Sequence, residues 1–182
     1  MLQRLRSSVR RGLNRLESAL HPKRRRRALQ RVRDGDFESI VFVCLGNICR
    51  SPFAEYWMRG RDPARGERYA SCGFFDGGRS SPDTAQAVAR EFGFELKDHV
   101  SRSVQEIPSG SHLWVVMEAV HARGLVRAGI SRDAIVFLGD FEPGSSPRRA
   151  ILDPYGKSAE VFRETYERIV VCLEVLGTAD AA

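Results

Sequence analysis

The sequence predicts an α/β fold: a parallel sheet with helices on both faces, a three-layer sandwich, carrying a basic helical arm at its N-terminal end. Three observations predict it. Continuous apolar runs of strand length recur between residues 39 and 138, as expected of strands covered on both faces. Segments with apolar residues every three or four positions separate those runs, and such alternation marks strand–helix–strand units. Charge is unevenly divided. Residues 1–33 hold twelve Lys or Arg against one acid, Glu17, for a net +11, while residues 34–182 hold seventeen bases against twenty-two acids, for −5. A mildly acidic body, residues 38–178, thus follows a cationic arm, residues 1–37.

In the arm, Leu2, Leu5, Val9, Leu13, Leu16 and Leu20 fall on one helical stripe, with arginines on the other positions. His21-Pro22 is expected to end that helix, because proline lacks the backbone donor and disfavours helix before it. A basic run from Lys23 to Arg27 follows, and Asp34-Gly35-Asp36 reads as the turn into the body. Such an arm suits an anionic membrane surface, self-association, folding back on the acidic body, a cleavable targeting role or a solvated, partly disordered tail. It supplies no catalytic group.

The body opens on the apolar run Ile40-Val41-Phe42-Val43. A glycine-containing loop leads to a helix from Ser51-Pro52 through Arg59. Further strands are expected at 113–117 and 134–138, with a weaker one at 69–72. Helices are expected at 83–92, stopped by Gly93, and at 118–127. Phe162, Tyr166, Ile169, Val170, Leu173 and Leu176 define a last helix, with Gly177 as its expected stop. His112 and His121 have no motif context, and Trp114 and Met117 read as core residues.

A chain of 182 residues with 42% apolar residues fits one soluble domain plus an appendage. No run approaches the roughly 20 apolar residues of a membrane span, and the Arg-rich start lacks a secretory core. Four cysteines in this length do not make a disulfide scaffold. Cys44 and Cys49 lie close together beside Arg50, which suggests thiol chemistry in a reducing, cytoplasmic compartment.

The informative stretch is Cys44-Leu45-Gly46-Asn47-Ile48-Cys49-Arg50-Ser51, between a strand and a helix. That is the ligand edge of an open α/β sheet. Gly46 and Asn47 tolerate positive φ, so the loop can curl with its N–H groups inward. Inward amides at a helix N-terminus bind anions, and Arg50 adds a fork for two phosphate oxygens. Cys44 shares that positive field, which favours the nucleophilic thiolate.

The segment VFVCLGNICRSPFAE closely resembles the signature of the low-molecular-weight protein-tyrosine-phosphatase family. Asp153-Pro154-Tyr155, within ILDPYGK, resembles that family's general-acid loop. YASCG, DHVSRS, LWVVME and IVFLGDF are similar too, so the resemblance spans about residues 38–177 and leaves out the arm. It implies a four-stranded parallel sheet in the order 2-1-3-4. It also implies a protein-tyrosine phosphatase that uses no metal or other cofactor. Cys44 would attack phosphorus, giving a cysteinyl-phosphate, while Arg50 and the amides of residues 45–51 hold the oxygens. Asp153 would protonate the leaving phenolate and then activate water. Ser51 would support the thiolate and also suits the helix start. Asn47, Ser71 and His99 would brace the loop, and Tyr155 would wall an aromatic slot. Cys44 and Cys49 would be able to close a reversible disulfide. Cys72, Glu118 and Gly156 stand where relatives often have alanine, aspartate and a second tyrosine.

Arsenate reductases with the same loop need further cysteines downstream, and past Cys72 only Cys172 remains. Arginine phosphatases typically carry threonine where Ile48 stands, which favours an aromatic ester here. A noncatalytic phosphoprotein-binding module would have lost the nucleophile or the acid. The expected partner is a phosphotyrosine protein, and no nucleic acid is expected for the catalytic domain.

Overall fold

The computed structural model describes residues 2–144 and 148–181, with backbone alone for residues 2–15. Its centre is a parallel sheet of β1 (Ser39–Val43), β2 (Tyr69–Cys72), β3 (His112–Val116) and β4 (Ile135–Phe137). The spatial order is β2-β1-β3-β4, with β1 paired to both β2 and β3. The central strand is therefore the most apolar run in the chain. Alternation along it splits the core in two. Ile40 and Phe42 face a cluster built with α2 (Arg50–Arg61), α3 (Asp83–Glu91) and α5 (Ala159–Asp180), whereas Val41 and Val43 face α4 (Ala119–Arg127). Helices cover both faces, as the alternating pattern predicted.

The arm differs from expectation. The helix α1 runs from Leu2 to Asp34, straight through Pro22, so His21-Pro22 does not end it. Pro22 forfeits its helical hydrogen bond, but packing offsets that cost. His21 is fully buried, and its Nε2 donates to the Glu142 carbonyl at 2.8 Å. Ala28 and Val32 are buried in the same core as the sheet, and Arg24 makes an ion pair with the buried Asp140 at 3.2 Å. The arginine run thus divides between inward anchors and an outward cationic face.

Gly177 does not stop the last helix either. α5 continues to Asp180, whose buried carboxylate takes Arg68 at 2.9 Å and Arg65 at 3.3 Å. A Cβ on Gly177 would stand 3.3 Å from the Met58 Cε, so this glycine lets α5 lie close against α2. Gly93, by contrast, takes a φ of +89° just past α3 and acts as the expected stop. Among the described residues, no helix is long and apolar enough to cross a membrane.

Candidate active site

At the C-terminal edge of β1 the chain turns through residues 44–49 into α2. The buried Cys44 Sγ receives the Ser51 hydroxyl at 3.0 Å and the Asn47 amide at 3.3 Å. Both groups aim hydrogen-bond donors at the sulfur. Asn47 makes the bend with φ of +52°, while Gly46 stays out of the left-handed region that its sequence position suggested. Asparagine tolerates that conformation because its side chain bonds locally. Here Asn47 Nδ2 donates to Ser51 Oγ at 2.9 Å and Ser71 Oγ at 2.8 Å. Its Oδ1 accepts the Arg102 amide at 2.8 Å, and its carbonyl accepts His99 Nε2 at 2.8 Å. Ser51 lies inside the first turn of α2 rather than capping it, because its hydroxyl is committed to Cys44 and Asn47. The structure thus brings Asn47, Ser51, Ser71 and His99 together. Burial lowers the pKa of His99, so it sits neutral with its proton on the nitrogen facing Asn47.

Behind this network lie residues the sequence reading missed. Ser71 donates to Glu55, which is buried and paired with Arg59 at 2.9 Å. A buried carboxylate needs such partners, and Glu55 stands four residues past Ser51 on α2, within a segment already singled out. Gly73 is a second miss: a Cβ there would lie 2.8 Å from the Leu45 carbonyl oxygen and 2.9 Å from the Asn47 nitrogen. Only glycine lets the end of β2 press against the loop.

Arg50 is 1% exposed and faces three acceptors. Its Nη1 reaches Glu118 at 2.5 Å and the Ile151 carbonyl at 2.9 Å, and its Nη2 reaches Asp153 at 2.9 Å. Glu118 opens α4, and His121, one turn further on, accepts the Glu118 amide at 3.1 Å through Nδ1. His121 is buried and stacks on Phe74, and burial with the nearby Arg50 pushes its pKa down to about 4. Asp153 is half exposed, and its Oδ1 accepts the Tyr155 amide at 3.3 Å. A turn closes behind it from the Lys157 amide to the Pro154 carbonyl, with Gly156 at φ +71°. That left-handed position gives Gly156 a local reason.

Cys44, Arg50 and Asp153 open into one cleft of about 120 Å³, walled by Leu45, Ile48, Phe75 and Tyr155. Phe75 carries Arg79, which lies 5.1 Å over its ring and also donates to the Gly46 carbonyl. Neither was legible in the sequence, because no motif surrounds them. All four cysteines are free and buried. Burial, reinforced by Cys44, raises the pKa of Cys49. Among the described residues there is no cluster of side chains able to hold a metal ion.

An α/β sheet with a cysteine-headed anion loop, an arginine and a carboxylate at one edge defines a class of phosphate-handling enzymes. A sequence model described as low molecular weight phosphotyrosine protein phosphatase matches residues 39–178. The probable low molecular weight protein-tyrosine-phosphatase AmsI of Erwinia amylovora is 35% identical over 130 residues, covering 70% of this chain and 87% of that protein. Its crystal structure superposes with a TM-score of 0.68 at 31% identity, covering 79% of this chain and 93% of that one. The low molecular weight protein-tyrosine-phosphatase Wzb of Escherichia coli K12 is 33% identical over 132 residues, covering 71% of this chain and 86% of that protein. The YwlE arginine phosphatase, in a mutant with a phosphorylated active-site serine, superposes at a TM-score of 0.65 and 26% identity, covering 77% and 93%. This chain belongs to the low molecular weight protein-tyrosine-phosphatase family, enzymes that hydrolyse phosphate monoesters through a cysteinyl-phosphate.

Proposed function

We propose that Cys44 attacks the phosphorus of a phosphotyrosine side chain, with Arg50 and the amides of residues 45–51 holding the phosphoryl oxygens. The Ser51 and Asn47 donors on Cys44 Sγ carry this reading. Arg50 Nε has no partner among the described residues, which leaves it a donor for one oxygen. A phosphate dianion competes with Asp153 for the same guanidinium. Asp153, so displaced, is placed to hand a proton to the leaving oxygen and later to take one from water.

The walls favour an aryl ester. Leu45, Ile48, Phe75 and Tyr155 make an apolar slot suited to a ring. A guanidinium entering it would lose water against Leu45, Ile48 and Phe75, which offer no side-chain acceptor in return. The likeness to the YwlE arginine phosphatase makes phosphoarginine the natural competitor. Assay on matched phosphotyrosine, phosphoserine and phosphoarginine peptides decides between them; preference for phosphoarginine would overturn the tyrosine reading. Peroxide treatment and mass spectrometry of the loop peptide test a Cys44–Cys49 disulfide: sulfinic acid at Cys44 with Cys49 free would refute it.

The enzyme would act in the cytoplasm, at an anionic membrane surface. Exposed Leu16 and Leu20 and the surrounding arginines of α1 support this attachment. Changing Arg4, Arg6, Arg10, Arg11 and Arg15 to Gln should release the protein from anionic vesicles in co-sedimentation; undiminished sedimentation would remove the membrane reading.

A further inference from the structure

The inner half of α1 packs on α5 and on the segment that leads from β4 to Asp153. Arg24 pairs with Asp140, and Asp140 in turn holds Arg149 in a fork at 2.6 and 3.0 Å. His21 donates to the Glu142 carbonyl, and the Glu142 carboxylate pairs with Arg168 at 2.8 Å. Arg168 also donates to the carbonyls of Arg148 and Ala150. Both routes end on residues 148–150. The next residue, Ile151, donates its amide to Met117 at 2.9 Å and gives its carbonyl to Arg50. Gly139 leaves no slack, since a Cβ there would lie 2.1 Å from the Arg149 carbonyl oxygen.

We propose that His21 and Arg24 of α1 are positioning residues for the reaction, holding residues 148–152 so that Asp153 stands over Cys44. The proposal rests on the reading of Asp153 as general acid. Asp140 is buried, and its carboxylate takes up two guanidinium groups, one from the arm and one from the acid loop. Removing Arg24 leaves Arg149, among the described residues, as the one partner of a buried charge, and the fork is then free to shift with the chain that bears it. Small displacements of a proton donor are costly, because proton transfer demands hydrogen-bond distance to the leaving oxygen. The effect should therefore appear where proton donation limits the rate. It should be weak where the leaving group departs unaided. Arg24 is itself held by Glu17 on the same helix, at 2.9 Å. One helix would thus serve two tasks, an outward cationic face and an inward brace.

The test is kinetic, on the full chain, with phenyl phosphate as a poor leaving group and 2,4-dinitrophenyl phosphate as a good one. Arg24→Gln should lower kcat/KM, which reads the leaving-group step alone, roughly tenfold on phenyl phosphate and less than about twofold on the dinitrophenyl ester. Arg24→Lys, which keeps the charge beside Asp140, should recover most of that loss. In an Asp153→Asn background Arg24→Gln should have no further effect on either substrate, as two residues acting through one group require. Thermal melting of each variant reports whether it folds; should Arg24→Gln not fold, Arg24→Lys and the Asp153→Asn background carry the same comparison at smaller amplitude. Equal loss on both substrates, no loss on either, or an undiminished effect without Asp153 would overturn the brace. If Asp153→Asn alone lowers kcat/KM equally for both substrates, the acid assignment itself falls, and the proposal with it.

Discussion

The 44–51 loop and the 138–155 segment meet at Arg50, yet they are held in place by opposite means. The loop is short, with Cys44, Asn47, Cys49, Arg50 and Ser51 buried, and its hydrogen bonds come from its own residues, from Ser71 of β2 and from the segment that carries His99 and Arg102. The 138–155 segment is long, and it ends in the exposed Leu152, half-exposed Asp153 and exposed Tyr155. Arginines from three helices tether it: Arg24 of α1, Arg50 of α2 and Arg168 of α5. A nucleophile that must be anionic needs a fixed cage of donors. A proton donor that serves two steps needs water access, so its carrier stays at the surface and is steered by charge. The comparison predicts that damage to the loop is absolute and damage to the acid segment conditional on substrate.

Cys44→Ser breaks the comparison at its strongest point. A serine hydroxyl in the same cage is far harder to ionise, so aryl phosphate turnover should fall well beyond about a hundredfold with the fold intact. The loss should be equal for good and poor leaving groups. Retention of more than about a hundredth of the rate, measured with circular dichroism as the folding control, would refute the nucleophile assignment.

Asp153→Asn should show the conditional pattern. In kcat/KM the loss should be on the order of a hundredfold on phenyl phosphate and only a few-fold on the dinitrophenyl ester.

These two residues also mark how much was legible. The loop is contiguous, so a glance at residues 44–51 delivers the nucleophile, the fork and the serine that supports them. The sheet was equally open, since buried parallel strands write themselves as unbroken apolar runs. What escaped depends on contacts between distant segments. Glu55, Phe75 and Arg79 act at the site only because the fold brings β2 and its following loop against residues 44–49. The helix through Pro22 escaped for the same reason, because local propensity names a breaker while burial of His21, Ala28 and Val32 overrides it. Gly177 was misread likewise: its role is contact with Met58, not termination.

His121 sits between the two regions, behind the Glu118 that grips Arg50, and it offers a smaller effect on stability. Burial holds its pKa near 4, against about 6.5 for an unhindered histidine. The unfolded chain therefore takes up a proton as pH falls below about 6.5 while the folded protein does not, so stability declines toward pH 4. Burial shifts His99 in the same direction. Between pH 7 and 5 the His121 contribution alone amounts to about 2 kcal/mol. In urea titrations, the fall in unfolding free energy over that interval should be smaller by about this amount in His121→Asn than in the parent chain. An identical pH dependence in both would show that His121 is protonated within the fold.

Tyr155 gives the smallest effect and separates the cage from the slot. Its ring is 61% exposed, so contact with a substrate ring covers only part of it. An aromatic contact of that kind contributes about 0.5–1.5 kcal/mol, which corresponds to a two- to tenfold rise in KM for an aryl phosphate in Tyr155→Ala. Inorganic phosphate has no ring to lose, and it reads the loop alone. Its inhibition constant should therefore stay within about twofold if Tyr155 acts only as a wall. The alternative is specific, because the Tyr155 amide also donates to Asp153 Oδ1. Substituting the side chain leaves that amide in place, but loss of the ring gives the 153–157 turn more freedom. A parallel rise in the phosphate inhibition constant would show that the turn, through the Asp153–Arg50 pair, disturbs the cage as well. The two regions would then be mechanically one, and the division between a fixed loop and a steered acid would fail at this residue.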